Sequence, residues 1–290
     1  REAGESHEAV VGRAQYLHGI YGTPMGHIAG EVCIVTGAAR GLGAAFAQSL
    51  RDAGGTVVTC DVLPGADAVV DVSKADQVKA FVDDVTRKHG PIGIAVLNAG
   101  VCKFTSVLGP WEDVESDFDF HIATNLRGVF LCGRAVLPGM VERGKGNVVI
   151  IGTDHLCRPA DFAYTAGVLD AYDASKWGLM GLVNAWVNAV GSKGVRVNSI
   201  SMGATDSEML RGFTRVTSGK EPTPEAIASW MRPEQIGALM VEMLEEGPNG
   251  RTSTNVPVIV GRPIKLEPWT PSSVPNTHPY LGVQLLQPRT

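Results

Sequence analysis

The 290-residue sequence predicts a single α/β domain, built as a doubly wound parallel sheet with helices on both faces. Three observations predict it. From Glu31 onward, short apolar runs alternate with helix-length segments. A glycine-rich turn joins the first of these runs to the first helix. The chemically special residues lie just past the ends of the runs, and parallel sheets bind ligands outside the carboxyl ends of their strands.

The elements follow in order. Val32 to Val35 is an apolar run ending in Thr36-Gly37, and Gly41 to Ala53 reads as a helix. Thr56 to Cys60 is the second strand, stopping at Asp61, and Ala68 to Val70 the third, before a helix over 75–89. Gly93 to Leu97 is the fourth and ends in Asn98-Ala99-Gly100. The segment 113–137 predicts one long helix, with Phe118, Ile122, Leu126, Val129, Phe130 and Leu137 spaced to pack on a sheet. Asn147 to Ile151 is the fifth strand, Tyr172 to Val190 a helix, and Val195 to Ile200 the sixth strand. A helix over 234–245 and a strand over 256–260 complete the pattern. Residues 1–27 show no sustained period and read as an extension. Residues 262–290 hold six of the 17 prolines, yet keep apolar anchors such as Trp269, Tyr280 and Leu281. That tail is expected to pack on its own subunit or a neighbour.

Composition narrows the function. With 44% hydrophobic and 19% charged residues the chain is globular. A net charge of −5 argues against a nucleic-acid or anionic-membrane partner. The most apolar helical run, Gly178 to Val190, is interrupted by Asn184 and Asn188 and is too short to span a bilayer. The five cysteines have neither metal-ligand nor disulfide-framework spacing, so a reducing, cytoplasmic setting and no metal are expected. The sequence opens on Arg1, with no signal-peptide apolar core in view.

Thr36-Gly37-Ala38-Ala39-Arg40-Gly41-Leu42-Gly43 follows a strand and opens a helix. Glycine permits a tight turn and close approach to a pyrophosphate, and the helix start offers free amides to the anion. Asp61, at the end of the second strand, is placed to accept bonds from an adenosine ribose. Its charge would repel a 2′-phosphate, which favours NAD over NADP. Arg40 is the one hint of the opposite choice; a surface charge near the phosphates is its other reading. Asp71-Val72 ends the third strand and is expected to flank the adenine. Asn98, Ala99 and Gly100 leave room for the dinucleotide.

Tyr172 and Lys176 stand four apart, on one face of a helix. A free phenol has a pKa of about 10 and a nearby fixed cation favours its ionised form. Bringing that pKa near neutrality takes roughly 4 kcal/mol. A held lysine together with a cationic cofactor ring is the expected source.

These motifs, in this order and spacing, resemble the short-chain dehydrogenase/reductase family: Thr36-Gly37 with Gly41 and Gly43, Asn98-Ala99-Gly100, Asn125, and Tyr172 with Lys176. The resemblance covers roughly residues 28–261. It implies one Rossmann-type domain around a seven-stranded parallel sheet that binds NAD(P), and a homo-oligomer, tetramer or dimer, with helices 113–137 and 172–190 at an interface. It further implies that Tyr172 is the general acid/base, that Lys176 lowers its pKa and binds the nicotinamide ribose, and that Asn125 holds a water linking Lys176 to solvent. A structural Asn kinking the helix is equally compatible with Asn125. Gly203, Thr205 and Ser207 resemble the segment that touches the nicotinamide, with Met202 replacing the family's usual proline.

Two departures concern the substrate side. Thr153 occupies the position where the family places a serine that hydrogen-bonds the substrate oxygen. A threonine carries the same donor and acceptor, while Asp154 or His155 are alternative contributors. Thr153 and Tyr172 are 19 positions apart, longer than the family pattern, so 154–170 forms an extended loop. It holds His155, Arg158, Asp161 and Tyr164, and reads either as a surface insertion or as a pocket wall in which His155 or Arg158 meets a polar group. Tyr164 is not the catalytic tyrosine, because position 168 is Val. Residues 204–233, with Met209, Phe213, Trp230 and Met231, correspond to a mobile lid, and Met209 and Trp230 are candidate substrate contacts.

The leading expectation is an NAD-dependent alcohol dehydrogenase or carbonyl reductase acting on a small molecule. An enzyme of the same fold performing a non-redox or epimerising reaction is a second reading. A regulatory NAD-binding protein with a vestigial site is a third.

Overall fold

The computed structural model describes residues 26–157 and 169–269. Its strands are β1 (Val32–Thr36), β2 (Thr56–Asp61), β3 (Ala68–Val69), β4 (Ile92–Leu97), β5 (Gly146–Thr153), β6 (Val195–Met202) and β7 (Asn255–Val258). They form one parallel sheet in the order β3-β2-β1-β4-β5-β6-β7, as the alternation of elements led us to expect. Every residue of β1, β4 and β6 is buried; β1 and β4 are nearly continuous apolar runs, as expected of strands covered on both faces, while β6 also buries Arg196, Asn198, Ser199 and Ser201.

The helices are α1 (Gly41–Asp52), α2 (Ala75–His89), α3 (Val114–His121), α4 (Val129–Arg143), α5 (Asp170–Val190), α6 (Glu208–Ser218), α7 (Pro224–Ala228) and α8 (Pro233–Glu245). On one face of the sheet α2, α4 and α5 bury Phe81, Leu137, Leu179 and Trp186. On the other, α1 and α8 bury Phe46, Leu50, Ile236 and Met240. The order of strands reverses between β1 and β4. The crevice past their carboxyl ends is where a doubly wound sheet takes a ligand.

The single helix expected over 113–137 is corrected. A π-helical turn, Ile122–Gly128, separates α3 from α4, and α4 runs on to Arg143. A π turn takes more residues than an α turn and so rotates the face that follows it. Phe118 and Phe130, read as sheet-facing, are therefore exposed, while His121 and Asn125 are fully buried. Several strands also run one or two residues past their expected ends. Among these, β5 carries through to Thr153.

Ile264 and Leu266 pack against the core on the α1/α8 face, and Arg251 donates to the Glu267 carbonyl at 3.0 Å. The remaining tail anchors, from Tyr280 on, and nearly all of the N-terminal segment lie outside the described residues. Among those described, no helix is long and apolar enough to cross a membrane.

Candidate active site

The glycine-rich turn is shaped by close backbone approach. Gly37 has φ +67°, and a Cβ there would sit 2.7 Å from the Ala99 Cα. A Cβ on Gly43 would meet the Gly37 carbonyl oxygen at 2.1 Å. Asn98 locks the same turn to β4: its side-chain amide donates to the Thr36 and Gly37 carbonyls at 3.0 and 2.9 Å. The Thr36 hydroxyl in turn accepts from the Asn98 and Ala99 amides at 3.0 and 3.1 Å. At the N-terminus of α1, no side chain caps the helix and no acidic residue lies in the first turn. Its first amides thus face the crevice with a favourable dipole for an anion. Leu42 is partly buried, while Arg40 and Gly41 are exposed at the rim.

Beside this turn the Asp61 carboxylate accepts from the Ala39 amide at 3.0 Å and the Leu63 amide at 3.0 Å. Two backbone donors therefore fix an acid at the end of β2. The Asp71 carboxylate accepts from the Ser73 amide at 2.9 Å. Val72 is buried against Gly128, which leaves its backbone as the part able to meet a ligand. An uncapped helix start, a turn with no room for Cβ and a fixed acid one strand over fit the pyrophosphate and ribose of a dinucleotide.

The α5 helix delivers Tyr172, Ser175 and Lys176 to the end of β5. Thr153 lies near enough to the Tyr172 hydroxyl to pull the phenol's pKa down. Lys176 Nζ lies 5.9 Å from the centre of the Tyr172 ring and donates to the Ile151 carbonyl at 3.0 Å. A Cβ on Gly100 would be 3.5 Å from that Nζ, so the small residue past β4 makes room for the lysine. Asn125 Oδ1 accepts from the Val101 amide at 2.8 Å, and its Nδ2 donates to the Val101 carbonyl at 2.9 Å and to Ser175 Oγ at 3.0 Å. Its side chain is thus occupied by protein partners. The partner expected for this amide is a relay water; the structure gives it protein partners.

Burial opposes both charges of the pair. It pushes the Tyr172 phenol above its ordinary value, with the Cys102 thiol adding to the rise and Thr153 opposing it. Burial also pushes the Lys176 ammonium down to about 8, against a smaller upward pull from Cys102. The protein alone therefore holds a neutral phenol. The depression expected from the lysine is not supplied by these two side chains.

On the substrate side, Thr153 Oγ1 is 3.5 Å from Asp154 Oδ1, and the His155 amide is 3.5 Å from the same hydroxyl. His155 Nδ1 pairs with Asp173 Oδ1 at 2.5 Å. The far end of the loop is pinned: Leu169 bridges to Thr105, and the Thr105 hydroxyl donates to Asp170. Arg158, Asp161 and Tyr164 lie outside the described residues. The lid segment holds α6 and α7. Thr205 is buried and donates to the Gly203 carbonyl at 3.0 Å, and Ser207 caps α6 through the Leu210 amide at 3.3 Å. Met209 is exposed at the start of α6, and Trp230 is half-buried beside Met231.

The lid residue that reaches across is Phe213, whose ring stacks on Phe104 with centroids 4.5 Å apart. Phe104 lies in an irregular stretch whose sequence carries no periodic signal, so only tertiary structure discloses it. His121 was likewise missed. It accepts from the Lys103 amide through Nε2 at 3.1 Å and contacts the Asp117 carbonyl through Nδ1 at 2.9 Å. Those partners require the proton on Nδ1. Its ring meets the Tyr172 ring edge-on at 6.1 Å, giving the phenol an apolar, rigid flank.

Residues 37–261 match the family model described as enoyl-(acyl carrier protein) reductase. The oxidoreductase UcpA of Escherichia coli K12 is 29% identical over 216 residues, 68% of this chain and 78% of that protein. The short-chain dehydrogenase/reductase ABA4 of Pyricularia oryzae strain 70-15 is 32% identical over 215 residues, 68% of this chain and 77% of its own. Among solved structures, levodione reductase superposes with a TM-score of 0.69 at 28% identity, covering 79% of this chain and 96% of that one.

Proposed function

The chain belongs to the short-chain dehydrogenase/reductase family, and from that premise we propose that it transfers a hydride between NAD and a secondary alcohol or ketone, with Tyr172 as general acid/base. The observation that carries this reading is the convergence of Thr153, Tyr172 and Lys176 at the end of β5, where Thr153 is near enough to the phenol to favour its ionised form and Lys176 is held on the Ile151 carbonyl. The unit responsible is residues 28–261, with 1–27 and 262–290 as extensions.

When bound, NAD(H) supplies the hydride acceptor or donor. The chain's own residues do the rest. Gly37, Gly41, Gly43 and the amides at the start of α1 hold the pyrophosphate, while Asp61 holds the adenosine ribose. Asp71, Val72, Asn98, Ala99 and Gly100 line the dinucleotide path, and Gly203, Thr205 and Ser207 lie at its nicotinamide end. Thr153 and Tyr172 grip the substrate oxygen together. Tyr172 gives that oxygen a proton in reduction and takes one in oxidation. Lys176 bonds the ribose and, through a water held at Asn125, passes protons to solvent. The lid, with Phe213 against Phe104, excludes water from the reacting carbon.

The test is loss of NADH or NADPH absorbance over a panel of ketones, with an enoyl thioester included. Consumption of NADH with ketones, faster than of NADPH, is the expected result. Cofactor binding without consumption for any substrate favours the non-redox or vestigial readings. Asp61→Asn removes the charge while keeping an acceptor oxygen, so the NADPH-to-NADH ratio of kcat/KM is expected to rise about tenfold or more. An unmoved ratio contradicts the role given to Asp61.

The Thr153 hydroxyl has its own test. Thr153→Ser is expected to keep much of the activity. Thr153→Ala is expected to lose about 2–4 kcal/mol of transition-state stabilisation, the range of an oxyanion donor. Equal rates for Thr153→Ala and the wild type contradict the assignment. A homo-oligomer is also part of this reading, because Phe118, Phe120 and Phe130 present apolar rings on the outer faces of α3 and α4. A dimer or tetramer mass in solution is expected, and a monomer at micromolar concentration contradicts it.

A further inference from the structure

Resting on the hydride-transfer reading above, we propose that His155, oriented by Asp173, is a specificity-determining residue: it hydrogen-bonds an oxygen on the carbon next to the reacting one, and so selects vicinal hydroxy ketones and diols.

The placement comes first. His155 follows Thr153 by two residues, and Asp173 follows Tyr172 by one. The pair is thus built beside the same two chain positions that grip the substrate oxygen, with the imidazole next to the phenol. The imidazole meets the Tyr172 ring edge-on with centroids 6.2 Å apart. His121 occupies a second edge-on position at 6.1 Å, but both of its nitrogens face backbone partners. Of the two imidazoles beside the phenol, His155 is the one whose Nε2 faces no backbone group in the bonds described here.

Tautomer follows from chemistry. Asp173 Oδ1 lies 2.5 Å from Nδ1, and a carboxylate accepts only, so Nδ1 carries the proton. Asp173 then holds the ring in one orientation, as a carboxylate behind an imidazole does elsewhere. Nε2 is left 4.0 Å from Asp154 Oδ1, too far for a direct bond. With the proton on Nδ1, Nε2 is an acceptor, and a substrate hydroxyl beside it donates its one proton there. The His155 side chain is 11% exposed, so such a bond forms away from bulk water.

Charge then chooses among polar substrates. Asp154 and Asp173 flank the imidazole on either side. A substrate carboxylate at this edge meets two groups of its own sign, whereas a hydroxyl meets none. An alkyl ketone leaves a buried imidazole without its partner, which is the kind of omission that a hydrogen-bonding site rejects. In the reaction with a hydroxy ketone, hydride passes from NADH to the carbonyl carbon and the proton of Tyr172 to its oxygen. The products are a vicinal diol and NAD, and the neighbouring hydroxyl on His155 is unchanged.

The experiment compares kcat/KM for acetoin, butanone and pyruvate with NADH, in the wild type and in His155→Ala, His155→Gln and Asp173→Asn. The wild type is expected to favour acetoin over butanone by about ten- to a hundredfold, and over pyruvate. In His155→Ala that ratio falls towards one. His155→Gln, which restores a hydrogen-bonding end at Nε2, recovers part of it, and Asp173→Asn lowers it. Ketone reduction with no preference for acetoin, with pyruvate preferred, or with a ratio unmoved by His155→Ala overturns the inference and leaves the hydride-transfer reading standing. Loss of the ratio in His155→Ala with no recovery in His155→Gln assigns His155 to the scaffold and likewise overturns it. No NADH consumption by the wild type with any of the three overturns both.

Discussion

Tyr172→Phe is expected to lower kcat for ketone reduction by about 10²- to 10⁴-fold, the range for a positioned acid/base, while the dissociation constant for NADH stays close to that of the wild type. The ring, its edge contacts with His121 and His155 and its place over Lys176 survive the change. What disappears is one hydroxyl, the group that faces Thr153. The direction of the phenol's shift adds a pH signature. Burial raises its pKa, so in this chain the group is protonated at neutral pH and ready to act as the acid. Reduction is therefore expected to be level across neutral pH, and oxidation to climb as pH rises and the phenol ionises. The climb should be missing from Tyr172→Phe. Steady-state rates in both directions, with fluorescence titration of NADH, check all three statements. A variant that keeps near-wild-type kcat contradicts the role of Tyr172.

Lys176→Met is expected to raise stability while removing most activity. The ammonium is buried, its one described acceptor is the Ile151 carbonyl, and burial holds its pKa at about 8 against an ordinary 10.5. Below about pH 8 both folded and unfolded chains carry the proton, so the full cost of burying the charge is present. Between about 8 and 10.5 the folded chain releases the proton first, and wild-type stability rises with pH. A methionine of similar shape avoids that cost but strands the carbonyl. The balance is a gain of about 1–2 kcal/mol at neutral pH, shrinking towards zero or below in alkali. Activity should fall about a hundredfold or more, because the chain loses its ribose contact and its proton route. Denaturant melts of both proteins at neutral and alkaline pH measure the difference, in which every other titrating group cancels. A variant less stable than the wild type at neutral pH, or an advantage that grows with pH, contradicts this account of the lysine.

The two substitutions together separate what was legible in the sequence from what was not. The ends of β1, β2 and β4 were legible to within a residue because an apolar run there meets Thr36, Asp61 or Asn98, whereas β5 and β6 continue two residues past their last aliphatic run. The glycine-rich turn was legible because only glycine tolerates the contacts that Gly37 and Gly43 make. The spacing of Tyr172 and Lys176 placed both on α5, and the structure sets both beside Thr153. The π turn was not legible. A widened turn leaves no mark in an apolar pattern that still repeats every three or four residues, and so Phe118 and Phe130 were turned to the wrong side. The bonding of Asn125 to Val101 depends on two segments meeting, as does the stack of Phe104 on Phe213. The pairing of His155 with Asp173 has the same origin: the residues are 18 apart and meet because α5 packs against the end of β5. The upward shift of the phenol in the protein without its cofactor was hidden for a related reason. Sequence shows the cation nearby but not the burial that discourages both charges.

The central claim is that a hydride moves between the cofactor and a substrate carbon, with Tyr172 handling the proton. The most direct measurement is the mass of the alcohol formed from a ketone when the enzyme is supplied with NADH deuterated at the transferred position. One deuterium in the product, bonded to the former carbonyl carbon and absent when Tyr172→Phe is used at the same enzyme concentration and time, is the result this account requires. Substrate converted while the deuterium stays on the cofactor, or deuterium transferred as fast by Tyr172→Phe as by the wild type, would contradict it.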